Sequence, residues 1–76
     1  MSSISVGMAI TGGPTAMSLQ PHQRVVLKFA GGQETVTIAT VRPLGGGNYS
    51  VLFITSDATT FRMEYNPQTG AGSVKE

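Results

Sequence analysis

Along much of this chain the residues alternate between apolar and polar. Ile4, Val6, Met8 and Ile10 alternate with Ser5, Gly7, Ala9 and Thr11, and near the other end Phe61, Met63 and Tyr65 alternate with Arg62 and Glu64. A period of two marks a strand with one buried face, because successive side chains point to opposite sides of a sheet. The spacing predicts a first strand over residues 3–11, stopped by Gly12-Gly13-Pro14. A second strand runs from Arg24 to Ala30, with Val25, Leu27 and Phe29 inward and Arg24, Val26 and Lys28 outward. Gly31-Gly32-Gln33 is the hairpin connection to a third strand over Glu34–Val41, where Val36 and Ile38 face inward. The pattern then changes phase toward Ala39 and Val41, which predicts a bulge near Ala39–Thr40.

Residues 43–48 hold three consecutive glycines and read as a flexible loop. A fourth strand follows over Tyr49–Thr55 and a fifth over Thr59–Tyr65. Asn66-Pro67-Gln68-Thr69-Gly70 is a tight-turn sequence, and residues 71–75 return as a short edge strand or a frayed C-terminus. The 12–23 connection reads as a loop with one turn, anchored by Met17 and Leu19, because Pro21 discourages a helix through Gln20. No segment carries a sustained helical period. These elements predict an all-β fold: residues 1–76 form a single small domain, an antiparallel meander of five or six strands closed into a barrel or compact sandwich.

The fourth strand breaks the alternation. Tyr49, Val51 and Phe53 share one face, yet Leu52 and Ile54 lie on the other. A sheet with one wet face has no need of this, so something should cover the second side. The cover is the 12–23 connection folding back with Met17 and Leu19, an interface with another copy or another protein, or a small molecule held in a pocket. Tyr49, Leu52, Phe53 and Ile54 are therefore the candidate interface residues.

Composition sharpens this picture. A chain of 76 residues has little stability to spare, and with no cysteine it gains none from disulfides or thiolate metal sites. Small β-domains without such staples commonly gain burial by oligomerising or docking. Only 12% of the residues are charged, about half the usual share, while ten glycines, seven serines and nine threonines fill much of the rest. A polar but uncharged surface suits a protein that lies against other protein. The formal net charge of +1 argues against a strongly basic nucleic-acid binder or a polybasic membrane anchor. The N-terminal region lacks the pattern of a signal peptide or membrane span. The expectation is therefore a protein made in the cytoplasm, with no membrane partner.

Candidate chemistry is sparse. His22 is the one histidine, between Pro21 and Gln23; alone it supplies neither a zinc site nor a nucleophile–base pair. Glu34, Asp57 and Glu64 are spread over separate turns and strands. Gly7 to Pro14 begins like a phosphate loop, but Gly13 and Pro14 stand where Lys and Ser/Thr are required. Asn48-Tyr49-Ser50 matches a glycosylation acceptor too short to carry weight. No enzyme activity and no cofactor is expected. The leading expectation is a structural or protein-interaction module working as an assembled subunit, by self-association or with a protein partner. A small virion or phage accessory protein, incorporated in the particle, is its concrete form. The alternative is a small barrel that binds single-stranded nucleic acid or an anionic small ligand through Arg24, Lys28, Arg42 and Arg62, with Tyr49 as the stacking residue.

Overall fold

The structure is a computed structural model. It describes residues 2–76; Met1 lies outside the described residues. Six antiparallel strands form one sheet: β1 (Ala9–Ile10), β2 (Arg24–Phe29), β3 (Gly32–Gly45), β4 (Asn48–Ile54), β5 (Thr60–Asn66) and β6 (Ala71–Val74). The spatial order is β1-β6-β5-β4-β3-β2. Beyond β1 the chain reaches across to β2: Thr11 N–H donates to Lys28 C=O, and Lys28 N–H donates to Gly12 C=O, each at 2.8 Å. This brings the first and last strands of the order together and makes the sheet a nearly closed barrel.

Strand register explains which residues fill it. One inward row runs Ile38–Phe53–Phe61, a second Val41–Val51–Met63–Val74, and a third Pro43–Tyr49–Tyr65–Gly72–Ile10. Phe53 and Phe61 pack with ring centroids 5.9 Å apart. Leu27, Ile38, Val51, Phe53 and Met63 are fully buried, so the barrel interior is a core of side chains.

The alternation of β2, with Val25, Leu27 and Phe29 inward, is as the sequence predicts. So is the bulge: the β3–β4 register skips Ala39. A second skip, at Leu44, carries the ladder further than expected, so β3 reaches Gly45 instead of ending at Val41. The predicted 43–48 loop contracts to a tip at Gly46–Gly47, where Gly45, Gly46 and Gly47 have φ of +92°, +64° and +85°. Glycine is needed there because other side chains rarely adopt that backbone.

The N-terminal end departs from the expectation, while at the C-terminal end the strand alternative holds, with pairing on both sides. The 3–11 alternation is not one strand: the backbone turns at Val6–Gly7, where Gly7 has φ +91°. Gly7 N–H still reaches Val74 C=O at 2.8 Å, Ile4 and Ile10 are buried on either side of the turn, and Val6 is left 60% exposed. The C-terminus does not fray. β6 pairs with both β5 and β1, and Arg62 bonds through its backbone to both Lys75 and Glu76. Among the described residues, no helix is long and apolar enough to cross a membrane.

Candidate functional site

Register places the outward residues as firmly as the inward ones. On the outer face of β3, β4 and β5 the rows read Thr37–Ile54–Thr60, Thr40–Leu52–Arg62 and Arg42–Ser50–Glu64. Ile54 is 38% exposed and Leu52 is half-buried. Leu52 lies in a shallow cleft of about 490 Å³ with Thr40, Val41, Arg42, Ser50 and Arg62. Arg62 is held in place there: its Nε bonds Glu76 Oε1 at 2.9 Å and its Nη1 lies 3.5 Å from Ser50 Oγ.

The 12–23 connection does not cover this face. It crosses the end of the barrel instead, where Tyr65 donates a buried hydrogen bond to Pro14 C=O at 2.7 Å and Leu19 joins the core. Met17, expected as an anchor, is 86% exposed on the 3-10 turn Ala16–Ser18. The other candidate interface residues are also reassigned. Phe53 lies wholly in the core, so it offers nothing to a partner, and Tyr49 turns inward at the barrel end beside Ala16, Gly47, Pro67 and Gln68. Of the four, Leu52 and Ile54 lie on the outer face of the sheet, and Tyr49 is half-buried at the barrel end, away from them.

The four basic candidates separate into two pairs. Arg42 and Arg62 flank Leu52, and Arg62 is already paired with Glu76. Arg24 and Lys28 lie on the outward face of β2 on either side of Val26, and both line a second cleft of about 550 Å³ at the barrel seam. Its other walls are Thr11 to Pro14, Ser18 and the turn from Pro67 to Gly70. No carboxylate lines it, and among the described residues neither Arg24 nor Lys28 makes an ion pair.

The remaining polar residues have local tasks. His22 is exposed in the turn before β2, with φ +71°, and its N–H donates to Ile38 C=O. Glu34 Oε1 accepts from Ser3 N–H at 2.9 Å, and Asp57 Oδ2 accepts from Ser2 N–H at 3.1 Å, so these carboxylates pin the N-terminal segment. Asp57 also accepts from the Thr55 hydroxyl, the main reason its pKa falls well below the usual carboxylate range. Glu64 points outward. Among the described residues, no three His, Asp or Glu side chains cluster as metal ligands.

No family model, curated protein or solved structure matches this chain. Its two surfaces must therefore be read from their own chemistry. The sequence reading missed the seam. Arg24, Val26 and Lys28 gave its outward face, but the convergence of Gly12–Pro14 and Pro67–Gly70 on β2 is a product of barrel closure.

Proposed function

We infer that this chain is a non-catalytic protein-interaction module that works as an assembled subunit, joining further copies through the outer face of β3, β4 and β5. The observation that supports this most is that, among the described residues, no loop or strand covers Ile54 and Leu52 is only half-buried, in an open cleft. Their rows are otherwise threonine, apart from an arginine already neutralised by Glu76. Such a face has little hydration to lose on burial and aliphatic area to gain, at about 25 cal/mol per Å². A standard interface takes about 800 Å² from each partner. Against a total surface of 4431 Å², that is a large share for a domain with a small core. The concrete setting we assign is an accessory subunit of a larger particle such as a virion, where a surface poor in charge would be covered by protein.

The alternative, a nucleic-acid-binding barrel, has less support. Phe29, Phe53 and Tyr65 are buried and Phe61 faces inward, which leaves the half-buried Tyr49 as a single aromatic instead of a stacking platform. The four cations do not form one track.

The test compares wild type with Ile54→Lys and Leu52→Lys by light scattering at micromolar concentration. Both side chains project outward, so circular dichroism should be unchanged while the mass of the variants falls to that of one chain. Variants that keep the wild-type multimeric mass would move the interface elsewhere.

A further inference from the structure

The seam beside β2 is an unfinished ladder. Lys28 spends its backbone N–H and C=O on Gly12 and Thr11, so those groups point away from β3. Backbone direction alternates along a strand, so Val26 and Arg24 also direct theirs toward the seam. Among the described residues no backbone group bonds them there. The cause lies two residues beyond Gly12. In antiparallel register Pro14 would oppose Val26, but proline has no N–H to donate, and its C=O is taken by the Tyr65 hydroxyl. The chain then leaves β2 and opens the 550 Å³ cleft.

We propose that this seam takes an extended acidic segment of another protein, added as a strand to the Arg24–Val26 edge. The edge presents alternating donors and acceptors, which a peptide backbone matches. A phosphodiester has no N–H to offer the carbonyls of Arg24 and Val26, so the backbone chemistry favours peptide over nucleic acid. Charge selects the side chains. Arg24 and Lys28 point to the same face, and the Lys28 stem lies across Gly12, 3.3 Å from where a Cβ there would sit. An added strand would place one residue opposite Arg24 and another, two positions along, opposite Val26 and diagonal to Lys28. Acidic residues at that i, i+2 spacing meet both cations. This chain has no such pair, because Glu34, Asp57, Glu64 and Glu76 are far apart in sequence. The partner is therefore a different protein, and the surface is separate from the Leu52–Ile54 face.

The probe is a blocked hexapeptide with glutamate at its second and fourth positions, valine at the third and fifth, and threonine at each end. It is titrated into the whole protein while amide hydrogen exchange is followed. The expected result is saturable binding with protection gained at the Arg24 and Val26 amides. Arg24→Glu or Lys28→Glu should weaken it about tenfold, since reversal turns an exposed attraction into a repulsion. A glutamine version of the peptide should also bind more weakly. No binding, binding that leaves those two amides unchanged, or tighter binding of a thymidine oligonucleotide than of the peptide would each overturn the proposal. Mass measured in the same samples reports on self-assembly separately, so the two readings can fail independently.

Discussion

The Tyr65 hydroxyl crosses the barrel end to the Pro14 carbonyl, and two glycines leave room for the ring. A Cβ on Gly13 would sit 2.9 Å from the hydroxyl, and one on Gly72 would sit 3.1 Å from the ring. Tyr65→Phe leaves the Pro14 carbonyl buried without its donor, and the expected loss in urea unfolding is about 1–3 kcal/mol with the fold retained. Burial also pushes the phenol above its usual pKa. A group whose pKa is raised on folding contributes stability below its unfolded value, near pH 10, and loses it as pH rises through the folded value. The phenylalanine variant should therefore lose less stability than wild type above about pH 10, as chemical denaturation across that range would show.

The β3–β4 hairpin and the 55–59 turn depend on local devices. Ala39 is the extra residue that keeps Ile38 and Val41 both inward across a change of phase. Deleting it would place one side of the strand in the wrong register, turning core residues toward water. Loss of cooperative thermal unfolding is the expected result, whereas Ala39→Gly should retain it. In the turn, Asp57 accepts from the Thr55 hydroxyl and the Thr59 N–H, while Ala58 has φ +65°. Because the Asp57 pKa is lowered on folding, its contribution is present above the unfolded value near pH 4 and is lost as pH falls toward the folded one. Asp57→Asn should flatten the acid side of the stability profile measured by urea titration. Much of this element-level structure was legible in the chain. Period two placed β2, β4 and β5 and the Ala39 phase change. It misread residues 3–11, where Gly7 turns the backbone without disturbing the apolar spacing, and for residues 71–75 it offered the strand but left fraying open, because the strand's second neighbour, β1, lies far away in sequence.

For the whole molecule, closure decides which faces remain free. The two-sided character of β4 was visible in Leu52 and Ile54, but their lack of cover depended on where the 12–23 connection runs, and local sequence does not encode that. The seam was hidden for the same reason: Pro14 and Arg24 become neighbours only when the first segment meets β2. A core filled by side chains and an uncovered aliphatic face together support assembly as the function. Sedimentation equilibrium of the unmodified chain tests this most directly. A mass that rises with concentration above the 7.9 kDa of one chain is the predicted result; a single-chain mass throughout the micromolar range would contradict the account.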